Sequence, residues 1–183
     1  MDIRPLPPLS LDAMQRFIIG YTSLWRYAIR KTESDQTTLF VVELERLETP
    51  YIKHYDSLDA ETGQRYRALC DNGLSLGAYD GDDLIGLALA EQQDWNNSVW
   101  VWEFHVAESH RGQGGGTQLM EALAQKARAA GLRAIFCETQ TTNVPAIRFY
   151  RKLGFTLDGF NLSFYSNDDW PQGEVAVFMK RTL

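Results

Sequence analysis

The feature that most constrains this chain is a glycine-rich loop set between two segments of different periodicity. Val99–Val106 (VWVWEFHV) is built of β-branched and aromatic residues, the composition of a strand. After ESHRGQGGG comes TQLMEALAQKARAAG, in which Leu119, Met120, Leu123, Ala124 and Ala127 recur at helical spacing and Gly131 supplies the stop. The loop Arg111-Gly112-Gln113-Gly114-Gly115-Gly116-Thr117 therefore turns a strand into a helix. Glycines let the backbone turn tightly with no side chain in the way, so successive amide N–H groups and the positive helix N-terminus can converge on a phosphate anion. No Gly-Lys-Ser/Thr follows, and the GxGxxG spacing is absent, so nucleotide hydrolysis and dinucleotide binding lose their usual signatures. Taken alone, the loop reads equally well as a flexible connection.

On either side of this unit the chain alternates turns and apolar runs. Leu11 to Arg30 reads as helix and connection, and Leu39 to Leu47 (LFVVELERL) as a strand ended by Thr49-Pro50. Leu58 to Ala68 is helical in pattern. LSLGAY and LIGLALA around Asp80-Gly81 form a hairpin, and DWNNS (Asp94–Ser98) turns the chain into the next strand. Downstream, Ala134–Cys137 is a short strand. TTNVPAIRFYRKLG then reads as a helix with Asn143 as N-cap, Pro145 in the first turn and Gly154 as stop. Two β-rich segments, FTLDGFNLSFYS and GEVAVFMKR, close the chain. The order is a meander, a βαβα unit and a terminal hairpin, which makes a mixed α/β sheet.

Composition narrows the function classes. The 183 residues and 44% hydrophobic content suit one domain with a substantial core. Lys plus Arg number 18 against 24 Asp plus Glu, a net charge of −6, so the basic footprint of a nucleic-acid binder is missing and a cationic partner is favoured. No window approaches the roughly 18 consecutive apolar residues of a membrane span, and no secretory leader pattern opens the chain. Cys70 and Cys137 are too few for a disulfide framework or a cysteine-rich metal site, and free thiols suit the cytoplasm. The aromatic-rich terminal hairpin is a candidate surface for a homodimer.

Asn143 and Tyr150 stand two helical turns apart on one face, the first a cap and the second a phenol that can donate a proton. With the glycine loop they carry a resemblance. His110-Arg111-Gly112-Gln113-Gly114-Gly115-Gly116 resembles the acetyl-CoA loop of the GCN5-related N-acetyltransferase (GNAT) family, Arg/Gln-x-x-Gly-x-Gly/Ala, with Arg111, Gly114 and Gly116 at its fixed positions. Thr142 to Phe155 resembles that family's second motif. Within the family, Asp94-Trp95-Asn96, Glu103, Glu138, Asn143, Pro145-Ala146-Ile147, Tyr150, Tyr165 and Gly173-Glu174 are similar to the streptothricin (nourseothricin) acetyltransferases. Trp102, His105 and Asp158 depart from their pattern.

The resemblance implies a single N-acetyltransferase domain over 1–183, with a variable part over 1–70 and an acetyl-CoA-binding core over 71–183. Its fold is a mixed, mostly antiparallel central sheet flanked by helices. It implies that acetyl-CoA is the co-substrate, with no metal required. Its pyrophosphate would lie on the amides of Gly112, Gln113, Gly114, Gly115, Gly116 and Thr117 beside Arg111. Its pantetheine arm would lie along His105, Val106 and Ala107, and Asn143, Ala146 and Tyr150 would also contact it. An alkyl ammonium with pKa near ~10 needs a base, and Glu103 is the candidate. Tyr150 is the candidate acid for the departing thiolate. Strict alternation over Val99–Val106 groups Val99, Val101, Glu103 and His105 on one face. Glu103, Trp102, Glu138, Asp158 and Tyr165 are candidates to hold a small cationic amine. Streptothricin, with its basic β-lysine arm, fits that description and would be inactivated by acetylation. Another amine (a polyamine, another aminated antibiotic or a protein amine) and a non-catalytic acyl-CoA-binding module are the alternatives.

Overall fold

A computed structural model describes residues 1–183, which pack as two compact units. The first comprises residues 1–19, 55–137 and 181–183, the second residues 20–54 and 138–180. Strands of the first run in the order β1 (Asp2–Pro5), β4 (Leu76–Asp80), β5 (Asp83–Gln93), β6 (Ser98–Val106) and β7 (Ala134–Gln140). In the second, β8 (Thr156–Asn161) pairs with β9 (Ala176–Thr182), and β2 (Gly20–Glu33) and β3 (Thr38–His54) form a separate ribbon. The β1/β4, β4/β5, β5/β6 and β8/β9 pairs are antiparallel, and β6/β7 is parallel. The helices are α1 (Leu11–Gln15), α2 (Ala60–Cys70), α3 (Gly115–Ala129) and α4 (Val144–Lys152).

In the first unit the β4/β5 hairpin closes on Gly81-Asp82, with Asp80 opposite Asp83 and Gly81 at φ +59°, where glycine carries no steric penalty. Strand β5 is buried on both faces. Leu87 and Leu89 join Leu6, Met14, Phe17 and Ile18 and the α2 residues Tyr66, Leu69 and Cys70 in one cluster. The intervening Ala88 and Ala90 are fully buried on the other face, and their small size lets α3 pack closely there through Leu119, Met120, Leu123, Ala124 and Ala127.

The pairing of β6 corrects the strict alternation expected for it. Glu103 lies opposite Leu89 and Val101 opposite Ala90, so Trp102 is the extra residue of a bulge. Val99 and Val101 therefore keep the α3 face, whereas Glu103 and His105, opposite Leu89 and Leu87, switch to the α2 face. The two side chains remain neighbours, in the company of Trp100 and Trp102 rather than of the valines.

In the second unit two expectations are revised. The helical character read over Leu11 to Arg30 is confined to α1, and from Gly20 the chain is strand; Tyr21, Ser23, Trp25, Tyr27 and Ile29 are spaced by two, with several aromatic or β-branched residues among them. Strand β3 does not end at Thr49-Pro50 but runs to His54. Its register places Arg46 opposite Trp25 and Tyr51 opposite Ser23, so residues 47–50 bulge across from Leu24, and Pro50 sits where no ladder N–H is required. Helix α4 is anchored to β2 by Arg151 Nη1 donating to the Tyr27 hydroxyl at 2.9 Å and by Arg148 over the Trp25 ring.

Candidate active site

The glycine loop takes the conformation its composition demands. Gly112 (φ +75°) and Gly114 (φ +89°) lie in the left-handed region, and a Cβ at either would meet nothing within 4 Å, so the dihedral and not crowding calls for glycine. Gly114 is the N-cap of α3 and offers no side chain to the first-turn N–H groups, which leaves Gly115, Gly116 and Thr117 presenting amides at the positive end of a 15-residue helix. Arg111 Nε donates to the Val106 carbonyl at 3.0 Å, Gln113 Nε2 to the Ser109 carbonyl at 2.9 Å, and Ala107 N–H to the Ile85 carbonyl at 2.8 Å. The loop is thus tied back to the end of β6. His110, whose Nδ1 lies 2.9 Å from Ser109 Oγ, belongs to this loop geometry. Strand β6 is registered with β7 only over Val99–Val101 against Ile135–Cys137, although it continues to Val106. A backbone edge beside an amide cradle suits a chain that carries its own amides and ends in a pyrophosphate, as acetyl-CoA does. Bound there, that molecule would supply the activated acetyl group, with the amides of the loop placed to hold its anionic end.

On the α2 face of β6, both oxygens of Glu103 are engaged. The Tyr66 hydroxyl donates to Oε1 at 2.6 Å, and His105 Nε2 lies 2.6 Å from Oε2. Burial, and then the adjacent Glu103 carboxylate, push the Tyr66 phenol far above its usual range, so it remains a donor. Trp102 Nε1 donates to Glu91 Oε2 at 2.8 Å, and the Arg65 guanidinium stacks 3.7 Å from the Trp102 ring centroid. Tyr66 and Arg65 were not among the residues expected from the sequence, where the helix GQRYRALC gives no sign that its tyrosine meets a strand residue 37 positions on.

The remaining expected residues belong to the second unit. Asn143 caps α4, its side chain accepting from Ala146 N–H at 3.2 Å. Tyr150 lies two turns along, 6% exposed, with its ring against Phe149 and Phe155. Tyr165 donates to Glu138 and accepts from Gln140 Nε2 at 3.1 Å; burial of its hydroxyl end and then the Glu138 carboxylate raise its pKa far above the phenol range. Asp158 is committed to Lys180 of the neighbouring strand, 3.8 Å away. Glu174, 14% exposed, accepts from Tyr21 at 2.7 Å and Thr142 at 2.6 Å and pairs with Lys53 at 2.5 Å. Burial acts to raise the Glu174 carboxyl, but these three donors hold it below the ordinary range. Trp95, which lies in the first unit, is 83% exposed.

The glycine loop, β6 and α4 all lie within a stretch matched by a known family. The model of the acetyltransferase (GNAT) family matches residues 22–155. The chain belongs to the GNAT family. Like its relatives, this GNAT protein is an acetyl-CoA-dependent acetyltransferase acting on an amine. It is 32% identical to the streptothricin acetyltransferase of Escherichia coli over 71% of this chain and 70% of that one. It is 36% identical to the streptothricin acetyltransferase of Streptomyces lavendulae over 58% of this chain and 54% of that enzyme. The crystal structure of a nourseothricin acetyltransferase superposes with a TM-score of 0.72 at 26% identity, covering 100% of this GNAT chain and 99% of that one. A Bacillus anthracis protein solved in complex with acetyl coenzyme A superposes at 0.75 with 24% identity, over 100% and 99% of the two chains.

Proposed function

We propose that this GNAT enzyme transfers the acetyl group of acetyl-CoA to a primary amine of streptothricin, on its β-lysine arm, and thereby inactivates the antibiotic. The observation that carries this reading is the similarity to the Escherichia coli streptothricin acetyltransferase across more than two thirds of both chains. The charge balance supports it. The anionic co-substrate is served locally by backbone amides, which leaves a chain of net charge −6 to favour a cationic acceptor. Converting an ammonium to an amide removes its positive charge, the chemical change by which such an acceptor would be inactivated.

The reaction asks two things of the protein. The ammonium must lose a proton before its nitrogen can attack, and we assign its removal to the half-buried Glu103–His105 pair on β6. As the new N–C bond forms and the C–S bond breaks, charge collects on sulfur, and we assign the Tyr150 hydroxyl to stabilise it. A second reading is a polyamine acceptor, favoured by 30% identity to the spermine/spermidine N(1)-acetyltransferase of Bacillus subtilis over 46% of this chain.

The test is release of free CoA thiol from acetyl-CoA against streptothricin, spermidine and an aminoglycoside, with the product located by mass spectrometry. Saturable release with streptothricin and acetylation of the β-lysine arm is the expected result. Preferential turnover of spermidine would select the polyamine. Acetyl-CoA binding with turnover of no amine would overturn the reading altogether.

A further inference from the structure

We propose that His105, not Glu103, takes the proton from the incoming ammonium group, and that Glu103 is the residue that positions it. This rests on the acetyl-transfer reading above and adds to it the identity of the base. The argument is one of lone pairs. An ionised carboxylate only accepts hydrogen bonds, so the imidazole nitrogen 2.6 Å from Glu103 Oε2 must carry the hydrogen. In the neutral ring this is the Nε2–H tautomer, in which Nδ1 carries the lone pair. Tyr66 occupies the other carboxylate oxygen at 2.6 Å, which pins Glu103 in place and leaves neither of its oxygens without a short hydrogen bond. Nδ1 of His105 has no partner, and no buried side-chain nitrogen or oxygen goes unpartnered in this protein, so Nδ1 is open to solvent. The bulge at Trp102 makes the arrangement possible, because it turns both side chains together onto the α2 face.

The proton balance is complete. His105 Nδ1 accepts one proton from R–NH3⁺, and the resulting imidazolium is paired through Nε2–H with the Glu103 carboxylate. The neutral amine forms the N–C bond while the C–S bond breaks. The second nitrogen proton ends on the sulfur as CoA thiol, and His105 returns its proton to water. The titratable and charged groups around this face are Tyr66, Arg65 and Cys70 from α2, Glu91 from β5, Glu103 on β6 itself and Tyr55 packed against the same cluster. Burial raises both Tyr66 and Cys70 and keeps them protonated.

The experiment compares pH profiles of kcat/KM for the wild type, His105→Gln and Glu103→Gln, with acetyl-CoA affinity as the check of folding. For His105→Gln we expect a loss of about 10²-fold at neutral pH, disappearance of the enzyme's acidic limb, and an unchanged acetyl-CoA Kd. Imidazole added to His105→Ala should restore part of the rate. For Glu103→Gln we expect a smaller loss with the acidic limb retained. Imidazole two-bond ¹H–¹⁵N spectra of the wild type should show His105 as the Nε2–H tautomer, with that preference lost in Glu103→Gln. An acidic limb that survives in His105→Gln and vanishes in Glu103→Gln would make Glu103 the direct base, and an Nδ1–H tautomer in the wild type would overturn the proposal. Turnover of no amine by the wild type overturns the acetyl-transfer reading and this inference with it.

Discussion

A phenol asked to help a thiolate leave faces an unfavourable proton affinity. An ordinary phenol titrates near ~10 and an alkyl thiol near ~8.5, so outright proton transfer is uphill by about 2 kcal/mol. In the role proposed for it, Tyr150 would therefore supply chiefly a hydrogen bond to sulfur as charge develops, with the proton following as the amine nitrogen loses its own. The ring is held by Phe149 and Phe155 and is 6% exposed, so Phe in its place keeps the packing and removes only the hydroxyl. For Tyr150→Phe we expect kcat to fall about 10-fold to 100-fold, with acetyl-CoA Kd and Tm nearly unchanged. Stopped-flow or steady-state thiol release together with calorimetric titration of acetyl-CoA checks this, and an unaltered kcat would remove Tyr150 from the chemistry.

At the scale of elements, α3 gains its anion-binding end from two glycines whose dihedrals an L residue adopts only under strain. At Gly114 the space for a Cβ is open and the cost of alanine is the backbone's alone, about 1–2 kcal/mol. The loop can relieve that strain by leaving the cradle conformation, so Gly114→Ala should weaken acetyl-CoA binding about 10-fold. Gly131 at the opposite end of the helix has φ +72° and equally open space, so Gly131→Ala carries the same local strain and should leave acetyl-CoA affinity unchanged. Equal loss of affinity in both variants would show that the effect is general destabilisation. Features of this kind are legible in a sequence because they are local: glycine at the cradle and at the stop, an apolar period along α3, an asparagine before Val144. The bulge at Trp102 is not, since it arises from how β6 meets β5, and the alternation within VWVWEFHV contains no trace of it. The same holds for β2, whose pairing with β3 decides its state, and for Pro50, a strand breaker that the ribbon accommodates by bulging. Within the site, the glycine loop and the pairing of Glu103 with His105 follow from short spacing, whereas Tyr66 and Lys53 enter through contacts across 37 and 121 positions.

At the scale of the molecule, an excess of six negative charges disfavours the folded chain through self-repulsion unless individual carboxylates are well paired. Glu174 is the most deeply engaged of these, with Lys53, Tyr21 and Thr142 all donating to it. Its folded carboxyl titrates below the ordinary value of 4.5, the three donors outweighing the opposing effect of burial. The folded state thus binds this proton less readily than the unfolded chain does. The stabilisation is fully present above the unfolded value and is lost as pH falls through the lower, folded one. Glu121, held down by its hydrogen bond from Arg181, adds a smaller contribution of the same sign from a more exposed position. Replacing Glu174 by glutamine keeps the shape and removes the charge, leaving Lys53 without its carboxylate. For Glu174→Gln we expect a loss of about 2 kcal/mol near pH 7, equivalent to roughly 4–8 °C in Tm for a chain of this size. The difference from wild type should shrink below the unfolded value of about 4.5 and close once pH has fallen through the lowered folded value and the wild-type carboxyl is itself protonated. Thermal unfolding followed by circular dichroism from pH 3 to 8 measures both curves, and two curves that stay parallel into acid would show that the Glu174 cluster does not set the acid stability of this protein.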